Sequence, residues 1–136
     1  MYKVLHVEDD EDIRAIVDIA LSFADDFELK QSSDGPSALK EAETFRPDLL
    51  LLDYMMPEMT GSEVYTAISA MPGMDNVKAI YVTAKVGEGF AEGLLSEGAL
   101  KVITKPFNPM TLPAQLREAL SEEDEQVTPS VRYLNG

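Results

Sequence analysis

Five side chains in this sequence are of types that phosphoryl chemistry uses, and each stands at the end of a strand-like run: Glu8, Asp9, Asp53, Thr83 and Lys105. Asp53 follows four consecutive leucines, Leu49 to Leu52, and precedes a Pro and Gly turn from Pro57 to Gly61. Glu8 and Asp9 open a run of five acids that ends at Asp12. Carboxylates brought close together repel and take up protons unless a cation sits among them. An all-oxygen set suits a hard divalent ion, Mg²⁺ above all, which keeps several waters and needs only one or two carboxylates besides phosphate oxygens. With no cysteine and a single histidine, softer metals have little to hold them. A lysine and a threonine hydroxyl on the other side supply a point charge and a donor for a phosphoryl group, and a carboxylate nucleophile completes a phosphoryl-transfer site.

Each residue also has a plainer explanation. A polar residue at a strand end is common, so Asp53 alone would read as a solvated terminus. Helix capping and the helix dipole account for Asp10, Glu11 and Asp12, and leave Glu8 and Asp9 open between capping and chemistry. His6 lies inside the first strand with no second histidine to share a metal, and reads as a packed or edge residue.

What must bring these residues together is a repeated β-α pattern. Tyr2 to Val7 is apolar and β-rich, and Ile13, Ile16, Val17, Ala20, Leu21 and Ala24 then recur at helical spacing. Phe27 to Ser32 precedes a helix opened by Asp34-Gly35-Pro36 and closed at Arg46-Pro47. The leucine run suits a strand buried on both faces. Thr60 to Glu63 has capping-box spacing ahead of Val64, Ala67, Ile68 and Met71, and Pro72-Gly73 stops that helix. Val77 to Thr83 is the fourth strand, and a glycine-rich, weak helix is expected from about Val86 to Glu97. Leu100 to Thr104 is the fifth, leading through Lys105-Pro106-Phe107 and an Asn108-Pro109 cap to a last helix, which Pro113 delays to about Thr111.

Parallel strands need crossovers, and those crossovers are right-handed. The pattern predicts one α/β domain of flavodoxin-like, doubly wound type: a five-stranded parallel sheet in order 2-1-3-4-5 with five helices. In that order strands 1 and 3 are neighbours at the switch point, so Glu8, Asp9 and Asp53 meet at one edge, and Thr83 and Lys105 end the next strands along it.

Composition sets the outer limits. The 136 residues, 45% of them hydrophobic, suit a single core and leave no room for a second domain. The domain is expected over 1–121, with 122–136 an acidic, frayed tail. No apolar run approaches the roughly 18 residues of a membrane helix, and the absence of cysteine fits an intracellular home, so a soluble cytoplasmic protein without membrane contact is expected. A net charge of −14 opposes direct nucleic-acid binding. There is no internal repeat, no GxGxxG and no P-loop, so nothing points to a nucleotide site.

Over roughly residues 2 to 121 the chain resembles the receiver domains of two-component response regulators, in particular stand-alone, chemotaxis-regulator-like ones. Leu5-His6-Val7-Glu8-Asp9-Asp10 resembles their first strand and acidic pair, with Asp9 the better candidate for direct metal ligation. Asp53 in LLLDYMMPEMTG matches the phosphoacceptor, and the Met55 backbone carbonyl falls where the family lends a metal ligand. Thr83-Ala84 matches the switch hydroxyl and the small residue after it, and Lys105-Pro106 the lysine and a proline often joined to it by a cis bond. The chain departs from the family at Val102, where an aromatic switch residue is common.

The resemblance implies a phosphorylation-controlled switch. A sensor histidine kinase or histidine phosphotransfer protein would donate to Asp53 with Mg²⁺ as cofactor, and the chain would catalyse only its own phosphorylation and dephosphorylation. Output would go by contact to a downstream protein, from a monomer or a weak dimer through the helix 4, strand 5, helix 5 face. Without a ring at position 102, the switch is expected as a backbone shift of residues 84–100. Two other classes compete. A haloacid-dehalogenase-type phosphatase would need a second Asp where Met55 stands. A phosphorylation-independent scaffold would use the fold without the chemistry.

Overall fold

The computed structural model describes residues 1–85 and 87–126. In chain order the elements are β1 (Tyr2–Val7), α1 (Glu11–Ser22), β2 (Phe27–Ser32), α2 (Gly35–Phe45), β3 (Leu49–Leu52), α3 (Gly61–Ser69), β4 (Lys78–Thr83), α4 (Phe90–Ser96), β5 (Lys101–Thr104), a 3-10 turn (Pro109–Thr111) and α5 (Leu112–Gln126). All four strand pairings are parallel and the order is β2-β1-β3-β4-β5, as the β-α alternation predicts.

The sheet is covered on both faces because side chains alternate along each strand. Val4, Leu49, Leu51, Ile80, Val82 and Ile103 point to the layer of Val17 and Leu21 from α1 and Leu112 and Leu116 from α5. Leu5, Val7, Leu50, Leu52, Ala79 and Tyr81 point to the other layer, where Ala38, Ala42, Val64, Ile68 and Leu94 of α2, α3 and α4 close over them. All four leucines of β3 are fully buried, which is why that run has no polar alternation.

Helix starts follow their side chains. Asp10 caps α1 by accepting from the N–H of Asp12 and Ile13. Asp34 caps α2 through Ser37 N–H. The Thr60 and Glu63 capping box forms at α3, satisfying two end donors reciprocally. Asn108 caps the 3-10 turn, which carries Pro109 and lets α5 begin at Leu112, one residue before Pro113. The expected delay of that helix is thus resolved by a tighter turn ahead of it. α5 continues to Gln126, into the stretch expected as tail from 122, while 127–136 lie outside the described residues.

One helix is shorter than expected. α4 starts at Phe90, because Gly87 at φ 156° and Gly89 at φ 80° hold conformations that no helix interior accepts. Of Gly87, Gly89 and Gly93 in the expected span only Gly93 is helical, and Val86 lies outside the described residues.

Candidate functional site

Strand register alone brings the chemistry together. Val7 of β1 pairs with Leu52 of β3, so the residues that follow, Glu8 and Asp53, stand level at the carboxyl edge of the two central strands. Thr83 pairs with Thr104 on β4 and β5, which sets Lys105 one residue further on. The ladder runs just past the strands and holds these positions, with Asp53 N donating to Val7 O at 3.1 Å and Lys105 N to Thr83 O at 2.9 Å.

Burial divides the acids. Glu8 is 1% and Asp53 7% exposed, whereas Asp9 faces solvent. One carboxylate oxygen from each of the three lies within 4.8 Å of the others. Lys105 Nζ enters the group from β5, 2.7 Å from Glu8 Oε1 and 3.5 Å from Asp53 Oδ2, and the Lys105–Pro106 peptide bond is cis. Glu8 Oε2 accepts from Asp10 N–H, and Arg14 Nη1 donates to the Glu8 carbonyl at 2.7 Å. Thr83 is buried, its hydroxyl oxygen accepting from Lys85 N–H at 3.2 Å.

Electrostatics follow from this crowding. Burial pushes the Glu8 carboxyl up to about 7, with the Lys105 ammonium pulling it back and the Asp53 charge adding to the rise. Burial works to lower Lys105, but the carboxylates of Glu8 and Asp53 outweigh it and hold the lysine above its ordinary range. Three carboxylates against one ammonium leave a cluster that a divalent cation neutralises, and the all-oxygen donor set fits a hard ion. Among the described residues this is the one group of three or more His, Cys, Asp or Glu side chains able to hold a metal.

His6 proves to be a packed residue on a central strand. It is 1% exposed, with Nδ1 3.0 Å from Gln31 Nε2. Burial first, then the charges of Lys105 and Arg14, push its pKa down to about 3, so it is a neutral core group near physiological pH.

Other residues shape the edge without being apparent in the sequence. Gly61 packs so closely on the turn after Asp53 that a Cβ there would collide with the Asp53 carbonyl oxygen and with the Tyr81 ring. Tyr81 is buried, its hydroxyl 3.3 Å from Ser62 Oγ, and the Tyr54 ring lies against it. The signal for Gly61 was its place in the Pro57 to Gly61 turn, though spacing cannot tell a turn glycine from one that backbone presses against. Met55 stands ahead of that turn with its side chain exposed. A cavity of about 460 Å³ opens at the opposite edge of the sheet, between Tyr2, Arg46, Lys78 and Leu120, and shares no residue with this cluster.

A family model described as the response regulator receiver domain matches residues 4–117. The chain belongs to this family. Receiver domains are the phosphoryl-accepting signalling switches of two-component systems, not classical enzymes. The chain is 35% identical over 134 residues to the alkaline phosphatase synthesis transcriptional regulatory protein PhoP of Bacillus subtilis, covering 98% of this chain and 54% of that protein. It is 34% identical over 124 residues to the DNA-binding response regulator MtrA of Mycobacterium tuberculosis, covering 91% of this chain and 53% of the relative. The chain thus spans about half the length of the curated relatives it matches. Among solved structures, the chemotaxis protein CheY4 of Vibrio cholerae superposes with a TM-score of 0.79 at 32% identity, covering 88% of this chain and 98% of that one. No described helix is long and apolar enough to cross a membrane.

Proposed function

We propose that this receiver domain takes a phosphoryl group onto Asp53 from a phosphohistidine on a sensor histidine kinase or a histidine phosphotransfer protein. The observation that carries the reading is the placement of Lys105 Nζ between Glu8 and Asp53 at an edge that also holds three mutually close carboxylates. An Asp53 carboxylate oxygen attacks phosphorus, the P–N bond of the donor breaks, and its electron pair stays with the imidazole nitrogen, leaving an acyl phosphate. Mg²⁺, held by Glu8, Asp9, Asp53 and the Met55 backbone carbonyl, would supply charge neutralisation for the transferring oxygens. Lys105, with Nζ 3.5 Å from Asp53 Oδ2, would meet a phosphoryl oxygen there, and the Thr83 hydroxyl would donate to another from β4. The chain itself thereby promotes its phosphorylation and dephosphorylation.

Partners are read from the surface. Ile19, Phe23 and Met110 are large apolar side chains left 60%, 84% and 87% exposed on the face of α1 and the 3-10 turn, an apolar island on an acidic chain, and we assign the donor protein to it. Output to a downstream protein, and any weak self-association, is assigned to α4, β5 and α5. Direct nucleic-acid binding by these residues is opposed by the charge of −14. A cytoplasmic setting accords with this role.

The phosphatase alternative lacks its proton donor, since Met55 stands where the second Asp would be. Incubation with a small acyl phosphate and Mg²⁺ tests the proposal: wild type should be labelled and Asp53→Asn should not. Undiminished labelling of Asp53→Asn would reject it.

A further inference from the structure

Two routes out of the carboxylate edge end on one ring. Tyr54 follows Asp53 directly, and its ring meets Phe90 edge-on, with centroids 5.0 Å apart and planes at 86°. From the other side, Thr83 Oγ1 accepts from Lys85 N–H at 3.2 Å, and Lys85 Nζ lies 5.3 Å from the centroid of the same Phe90 ring. Phe90 is the first residue of α4.

That helix has little else to hold it. It is seven residues long, follows Gly89 without a side-chain cap, and buries only Leu94, while Leu95 is 45% exposed. A helix this short is not stable from its own hydrogen bonds, so contacts made by its few apolar side chains decide where it sits. Val102 on β5 offers no ring for such a purpose.

We propose that the Tyr54–Phe90–Lys85 contact is the device through which the phosphorylation state of Asp53 sets the position of α4. The inference rests on Asp53 being the phosphoacceptor. A phosphoryl group there replaces the single carboxylate charge with about −1.5 to −2 and brings three acceptor oxygens. Turning the Thr83 hydroxyl toward one of those oxygens disturbs the acceptor that Lys85 N–H uses, so residue 85 and its ammonium shift over Phe90. Tyr54, bonded to the modified residue, shifts under the other side of the ring. An edge-to-face pair biases an equilibrium by roughly 2- to 10-fold, enough to redistribute a marginal helix between two positions.

The chain contains no tryptophan, so Phe90→Trp places a single fluorophore at the contact. Three readouts on the full chain separate the claims: labelling of Asp53 by a small acyl phosphate, hydrogen exchange of residues 87–98 with and without beryllofluoride and Mg²⁺, and emission of Phe90→Trp. Wild type and Phe90→Leu should label at equal rates. The beryllofluoride-induced exchange change at 87–98 should fall by roughly 2- to 10-fold in Phe90→Leu and return in Phe90→Tyr. Emission of Phe90→Trp should respond to beryllofluoride, and adding Tyr54→Leu should remove most of that response. A Phe90→Leu chain that labels normally and keeps the full exchange change would overturn the proposal, as would a Phe90→Tyr chain no better than Phe90→Leu. A labelled wild type without any change at 87–98 also sinks it alone, whereas an unlabelled wild type brings down the functional reading and this inference together.

Discussion

Lys105 stands at unequal distances from its two carboxylates, 2.7 Å from Glu8 and 3.5 Å from Asp53. The residue types here were legible in the sequence because they punctuate strand ends, but the pairing was not. Whether Glu8 capped a helix or faced the cluster depended on β1 register and on Arg14 reaching back to the Glu8 carbonyl, neither of which spacing reveals. The pairing makes Lys105 and Thr83 unequal. A charge-assisted hydrogen bond contributes about 1.5 to 3 kcal/mol against roughly 1 for a neutral hydroxyl. Lys105→Ala should therefore slow labelling by roughly 10- to 150-fold and Thr83→Ala by about 5-fold, with Thr83→Ala losing output at α4 instead; equal defects in a labelling time course would contradict the assignment.

His6 carries a second residue-level prediction. Its folded pKa is about 3 against 6.5, so its contribution to stability is complete above pH 6.5 and is lost as pH falls toward 3, by at most about 1.4 kcal/mol per pH unit. Glu8 acts with the opposite sign: raised to about 7 from 4.5, its contribution is complete below pH 4.5 and lost as pH rises through 7. The two partly cancel, so the test is a difference. In metal-free buffer, chemical denaturation of His6→Leu between pH 4 and 6.5 should show a more positive change in stability on acidification than wild type does. Parallel pH profiles would show that His6 is not the buried neutral group described.

At the scale of elements, strands and caps were readable and one helix boundary was not. Thr60 and Glu63 form the box that their spacing announces. α4 starts later than apolar periodicity predicts, because a count of apolar positions is blind to backbone sign and Gly87 and Gly89 turn the chain at positive φ. Gly61 shows the converse, a glycine inside a helix, kept by close approach to the Asp53 backbone rather than by an unusual φ. Gly61→Ala forces the turn after β3 to move, and overpacking of this kind costs about 1 to 3 kcal/mol. Thermal or urea unfolding should register that loss, and labelling should slow with it. An unchanged midpoint and unchanged labelling would mean the turn yields freely.

The whole molecule is a sheet in which β1 and β3 end in carboxylates and β4 and β5, next in order on the β3 side, end in a hydroxyl and a lysine. Strand order followed from five β-α pairs and right-handed crossovers, and it was the order that turned residues as distant in the chain as Glu8 and Lys105 into neighbours. What the sequence could not expose was the aromatic contact from Tyr54 to Phe90, since it depends on where a short helix lands after a glycine loop. If the phosphoryl group goes to Asp53, the acyl phosphate can be trapped there. After brief treatment with a small acyl phosphate and Mg²⁺, borohydride reduction converts the modified aspartate to homoserine, which peptide mass mapping can place to a single residue. Homoserine is expected at position 53 alone; homoserine at Asp9 or elsewhere, with Asp53 unmodified, would place the acceptor on another residue.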